Sequence, residues 1–84
     1  MSYEKVERAK ELTIGIKQTM KAVEAGLVEE VYLSEDADKR LTEKVQRLCE
    51  EKGVPVVYVD SMRRLGKACG IDVGAAAAAI KKTV

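Results

Sequence analysis

The chain predicts an α/β fold, and three observations carry that reading. Residues 28–33 and 54–59 are runs rich in β-branched and aromatic side chains, the composition of strands. Elsewhere apolar residues recur at helical spacing, most plainly Leu41, Val45, Leu48 and Cys49 in an i, i+4, i+7, i+8 stripe. Glycines at 15, 26, 53 and 70 separate the patterned segments, so that helices and strands alternate through short connections.

Each element follows from its residues. Ser2 caps a first helix over about residues 3–12, in which Tyr3, Val6 and Ala9 repeat every third position toward a core. Residues 12–14 then read as a short strand ending at Gly15. A second helix covers about 16–25 with Ile16, Met20 and Val23 inward, and Gly26 is suited to a left-handed stop. After the strand at 28–33, either Asp36 or Asp38 starts a third helix, which Gly53 ends. Its other face carries Lys39, Glu43, Lys44, Arg47, Glu50 and Glu51, a mixture suited to solvent. In the strand at 54–59, Pro55 belongs at a strand start or a sheet edge because it lacks an N–H. Ser61 caps a short fourth helix with Met62 and Leu65 inside, Arg63, Arg64 and Lys67 outside, and Gly70 as its stop. Residues 75–79 are five consecutive alanines, for which intrinsic propensity alone favours helix.

The 84 residues suffice for one small domain, 1–84, with a single core and little stability to spare. With 46% hydrophobic and 35% charged residues, the composition is that of a folded chain rather than a disordered one. A net charge of +1 does not by itself mark a nucleic-acid binder. Glu29, Glu30, Glu35, Asp36 and Asp38 nevertheless form one acidic stretch, while Lys17, Lys21, Arg63, Arg64, Lys67, Lys81 and Lys82 lie elsewhere. Both a one-sided basic patch and an evenly mixed surface fit that total. The N-terminus has no apolar signal region and no run approaches the roughly 18 apolar residues of a membrane span, so a cytoplasmic protein without a membrane partner is expected.

Most catalytic chemistry is disfavoured. The chain has no histidine, the commonest general base and metal ligand near neutral pH. No carboxylate pair sits in a recognisable apolar pattern. Gly66, Gly70 and Gly74, four apart, match neither of the glycine motifs that cradle phosphates at a strand-to-helix junction, and read as turn residues. Cys49 and Cys69 are not a Cys-x-x-Cys pair; Cys49 continues a helix stripe, and packing outweighs reactivity for both. No catalytic residue, metal site or cofactor is expected.

Two segments carry the functional signal. In Gly15-Ile16-Lys17-Gln18-Thr19-Met20-Lys21 a glycine opens a helix, leaving first-turn N–H groups and the positive end of the dipole available to a phosphate or base edge. Relative to Ile16, Lys17, Gln18 and Lys21 fall at roughly 100°, 200° and 140° around the helix, away from the apolar stripe. In Leu65-Gly66-Lys67-Ala68-Cys69-Gly70-Ile71-Asp72-Val73-Gly74 a basic helix end runs into an apolar loop flanked by glycines. Taken singly, the lysines are ordinary surface residues, and Ile71 and Val73 ordinary loop anchors.

Together, in this order, the segments resemble the kink-turn-binding family of large-subunit ribosomal proteins, the L-seven-Ae and L-thirty-e group, and in particular its short bacterial members. The family pattern Gly-x-Asn/Lys-Glu/Gln-x-x-Lys is filled by Gly15, Lys17, Gln18 and Lys21. Leu-Gly-Lys/Arg-Ala-Ala/Cys-Gly is filled by Leu65, Gly66, Lys67, Ala68, Cys69 and Gly70, with Ile71, Asp72 and Val73 as the hydrophobic loop. Archaeal members commonly have Asn and Glu in place of Lys17 and Gln18, and often a Pro near Gly74. The resemblance implies that residues 75–80 form a central strand, whose small side chains let helices pack on both faces. It thereby implies a three-layer α/β/α sandwich with a mixed sheet of about four strands.

The same resemblance implies an RNA-binding site of Gly15, Lys17, Gln18, Lys21, Arg63, Arg64, Lys67, Ile71, Asp72, Val73 and Gly74. Gln18 and Lys21 would bond base edges of the tandem sheared G·A pairs, and Lys17 the backbone or a guanine. Ile71 and Val73 would form an apolar shelf under the extruded base, with Asp72 accepting from base or ribose, while Arg63, Arg64 and Lys67 offset crowded phosphate charge. The expected partner is a kink-turn RNA, ribosomal or riboswitch, with the ribosome as a further partner and the protein a monomer. The alternative is a protein-interaction module of a ribosomal assembly that uses its basic face without shape-specific RNA recognition.

Overall fold

The alanine run, helical by local propensity, enters an interior strand. In the computed structural model, which describes residues 3–82, the elements are α1 (Glu4–Arg8), β1 (Leu12–Ile14), α2 (Ile16–Glu24), β2 (Val28–Ser34), α3 (Lys39–Lys52), β3 (Val56–Val59), α4 (Met62–Ala68) and β4 (Ala77–Lys81). The sheet has the order β1-β4-β2-β3. β4 runs antiparallel to both neighbours, and β2 and β3 are parallel, which makes the sheet mixed. Side chains of β4 alternate between two cores. Ala77 and Ala79 pack with Val23, Val31, Leu33, Val45 and Cys49 beneath α2 and α3. Ala78 and Ile80 pack with Val6, Tyr32, Val59 and Leu65 beneath α1 and α4. The result is the expected three-layer α/β/α sandwich. Helices cover both faces, and only a small side chain lets them approach; this tertiary requirement overrides a helix preference worth less than about 1 kcal/mol per residue.

Local signals set most boundaries, with corrections where the tertiary fold imposes others. α1 ends at Arg8 rather than near residue 12, because Ala9 is already extended (φ −67°, ψ 138°) to lead into β1. The Ser2 cap lies outside the described residues. Asp38, not Asp36, caps α3, its Oδ1 accepting the Arg40 N–H at 2.9 Å. Ser61 caps α4 by accepting the Arg64 N–H at 3.1 Å. Gly26, Gly53 and Gly70 take the positive φ of helix stops. β3 begins at Val56, and Pro55 precedes it on the edge strand, its C=O accepting the Val31 N–H at 3.0 Å.

The inward stripe of α3 also differs by one position. Leu41 is exposed, and Thr42 is buried with Val45 and Cys49. One residue is a rotation of roughly 100°, which puts Leu41 at the margin of the stripe. The buried Thr42 hydroxyl is satisfied by donating to Lys39 O at 3.3 Å. On α2, Thr19 is fully buried, its Oγ1 3.2 Å from Thr13 Oγ1 of β1. One of these hydroxyls donates to the other, so the seam between α2 and β1 tolerates a polar pair. Among the described residues, no helix is long and apolar enough to cross a membrane.

Candidate nucleic-acid interface

Strand directions gather the functional segments. Since β1 and β2 both run opposite to β4 and β3 runs with β2, the ends of β1, β2 and β3 meet the beginning of β4 at one edge of the sheet. The turn into α2 and the loop leading into β4 therefore lie side by side. A hydrogen bond joins them: the Gly15 N–H donates to Ala77 O at 2.7 Å. Gly74 is three residues before Ala77, a stretch of chain that spans at most about 11 Å. The start of α2 and the loop that carries Val73 thus lie at the same end of the sheet.

Gly15 turns the chain from β1 into α2 with φ 98° and ψ 161°, a conformation essentially restricted to glycine. Its carbonyl accepts the Thr19 N–H at 3.1 Å, and no side chain caps the helix. The preceding N–H groups of the first turn consequently face outward as donors. Lys17, Gln18 and Lys21 are all exposed, opposite Thr19, Ala22 and Val23. None of the three has an ion-pair or side-chain hydrogen-bond partner among the described residues.

The loop is built on α4. Its first half is held where the Ile71 N–H donates to Gly66 O at 3.0 Å, and its second where the Ala75 N–H donates to Met62 O at 2.9 Å. Between these bonds the loop backbone lies directly on Gly66: a β-carbon there would stand 2.0 Å from Val73 O. The Val73 carbonyl is held inward in this way, and its side chain projects at 69% exposure, well beyond Leu27, Leu41 or Tyr58. Ile71 is half-buried, while Asp72 and Gly74 are exposed. Val73 therefore presents more of the apolar surface than Ile71.

The basic residues of α4 divide. Arg64 is engaged within the protein, 3.3 Å from Asp60 Oδ2 and with its guanidinium 5.1 Å from the Tyr3 ring centroid. The Tyr3 hydroxyl also donates to Asp60. That bond, above all, holds the Asp60 carboxyl below its usual range, and burial pushes the Tyr3 phenol up. Arg64 and Lys67 line a groove of about 330 Å³ between α4 and α1, together with Tyr3, Glu7 and Ala68. Arg63 is exposed without an ion-pair partner among the described residues. Across the same end of the sheet, the turn after β2 carries exposed Glu35, Asp36 and Asp38, so the charge there is polarised, basic along α2 and acidic beyond β2. Burial pushes the Cys49 and Cys69 thiols up, consistent with packing rather than thiolate chemistry.

Gly66, which the glycine series suggests as a turn residue, instead lies inside α4, where the backbone of the following loop rests on it. The available signal was a glycine inside a helical pattern, where it is disfavoured by about 1 kcal/mol relative to alanine unless packing demands it. The burial of Thr19 had no comparable local signal.

With the fold and the two adjoining segments in place, the chain is seen to belong to the ribosomal protein L7Ae/L30e/S12e/Gadd45 family, whose model matches residues 2–84. An RNA-binding protein of Halalkalibacterium halodurans is 56% identical over 82 residues, covering 98% of this chain and 100% of that protein. The RNA-binding protein YbxF of Geobacillus stearothermophilus is 55% identical over 80 residues, 95% of this chain and 98% of that one. Among solved structures, the Giardia lamblia 15.5kD RNA binding protein superposes with a TM-score of 0.88 at 31% identity, over 98% of this chain and 72% of that chain. The resemblance drawn from the two sequence segments is correct, including its emphasis on short bacterial members.

Proposed function

We propose that this chain is a non-catalytic, cytoplasmic RNA-binding protein that recognises kink-turns in ribosomal or regulatory RNA. The observation that carries the reading is the Gly15–Ala77 hydrogen bond, which sets the polar start of α2 beside the loop presenting Val73. The names of the bacterial relatives and of the Giardia protein support RNA as the ligand. Specific RNA recognition targets bulges and internal loops, where unpaired bases are open to side chains and backbone groups. Gln18 and Lys21 hydrogen-bond the edges of the G·A pairs, Lys17 contacts backbone or guanine, and Val73 supports the extruded base with Ile71 and Asp72 alongside. Arg63 and Lys67 offset phosphate charge, and so does Arg64 if its pairing with Asp60 yields. Val73 is not aromatic, so its support is worth less than the roughly 1–3 kcal/mol per base of a stacking platform. Binding favours the bent conformer over the extended one and shifts the RNA population.

Calorimetric titration with a kink-turn RNA, and with the same RNA carrying Watson–Crick pairs in place of the G·A pairs, tests the proposal. Much tighter binding to the first is expected, and equal binding rejects it. Lys21→Ala is expected to weaken kink-turn binding about tenfold or more, the worth of a hydrogen bond from a charged donor. Lys21 is exposed, so the thermal midpoint should stay within a few degrees of wild type; a large drop in the melting curve would make Lys21 structural.

A further inference from the structure

The loop presenting Val73 is seated by a ring of hydrogen bonds that begins in a different connection. Asp36, in the turn after β2, accepts the Met62 N–H through Oδ1 at 2.8 Å. Met62 O accepts the Ala75 N–H at 2.9 Å. Ala75 O in turn accepts the buried Ser34 hydroxyl at 2.8 Å, and the Ser34 N–H donates to Ala76 O at 3.0 Å. Because Ser34 and Asp36 are only two residues apart, the chain closes the ring. Both backbone groups of Ala75, two positions after Val73, are fixed by it. Met62, fixed in the same ring, also lies against the loop: a β-carbon at Gly74 would stand 3.1 Å from Met62 Cβ.

We infer that Asp36 is a positioning residue for RNA recognition, with Ser34 as its partner: through Met62 and Ala75 it sets the height and orientation at which Val73 meets the extruded base. This rests on the kink-turn reading above. Ser61 caps α4 from within through the Arg64 N–H, which leaves the Met62 N–H of the first turn to be met from outside the helix; a cap that did nothing else would cost both RNAs of the test below equally. Asp36 adds a bond from another layer of the fold. A carboxylate on a backbone N–H makes a charge-assisted bond, roughly twice as strong as the neutral Ser34 bond, so Asp36 carries the larger effect.

The test uses the full chain and two RNAs, an intact kink-turn and the same RNA made abasic at the extruded nucleotide. Wild type is expected to bind the intact RNA about tenfold more tightly. Asp36→Ala should lose about five- to tenfold on the intact RNA and less than about twofold on the abasic one. Asp36→Asn keeps an Oδ1 acceptor and should restore most of the difference. An equal loss on both RNAs, or no loss on either, overturns the inference. Should Asp36→Ala fail to fold, Ser34→Ala decides by the same pattern, a smaller loss confined to the intact RNA supporting the inference and a uniform one or none overturning it. A wild-type protein that does not distinguish the two RNAs overturns both this inference and the role proposed for the loop. Wild-type discrimination with a uniform loss in the variants overturns the inference alone.

Discussion

Gly66→Ala should lower the stability of the protein by about 2 kcal/mol, the difference of two opposed effects. Inside an exposed helix this substitution stabilises by about 1 kcal/mol. Here the new β-carbon would stand 2.0 Å from Val73 O, 3.0 Å from Val73 C and 3.2 Å from Gly74 Cα. All three are backbone atoms, which have no rotamer to turn away, so the loop must lift from α4. Lifting strains or breaks the bonds to Gly66 O and Met62 O, each worth about 0.5–1.5 kcal/mol, and adds an overpacking term of about 1–3 kcal/mol. For a domain of this size the thermal midpoint should fall by roughly 10 °C. RNA binding should lose the contribution of Val73 at temperatures where the variant is folded. A midpoint that rises by a few degrees, as propensity alone requires, would show that the loop yields freely.

Gly15→Ala should destabilise by about 1–3 kcal/mol for a different reason. Beyond its two chain neighbours, no heavy atom among the described residues lies within 4 Å of the position a β-carbon would take, so there is no tertiary clash. The whole effect is backbone strain at φ 98° and ψ 161°. Relief of that strain would swing the start of α2 away from Ala77 and separate the two halves of the proposed site, so affinity for a kink-turn RNA should fall together with stability. Gly53→Ala provides the comparison. Gly53 stops α3 at φ 70° and ψ 30°, also without a neighbour within 4 Å, and it lies at the opposite end of the sheet. That variant should lose about 1 kcal/mol of stability and keep its RNA affinity. Denaturant unfolding and RNA titration on both variants check the pair, and parallel losses of affinity would mean that Gly15 acts only through global stability.

The residues that define helices and their ends were legible because the interactions that set them are local. The stripe through Val45 and Cys49, the Ser61 cap and the stops at Gly26, Gly53 and Gly70 all act within a few positions of chain. The exposed trio Lys17, Gln18 and Lys21 follows from helical periodicity alone. Leu41 and Thr42 mark the limit of such reading, since a neighbouring layer, not the period, decided which of them the core received. For the alanine run the local signal pointed to helix, and only the family resemblance led to strand.

By itself, then, the sequence determined the alternation of elements up to the alanine run, the stops of α2, α3 and α4, and the two segments by which the family is recognised. The tertiary structure alone decided that those segments meet at Gly15 and Ala77, that Arg64 is spent on Asp60 and Tyr3, and that Gly66 and Asp36 seat the loop. The physical reason is that the contacts Gly15–Ala77, Tyr3–Arg64 and Asp36–Met62 join residues distant in the chain. Their meeting depends on the strand order β1-β4-β2-β3, which long-range burial selects and no short window of residues encodes.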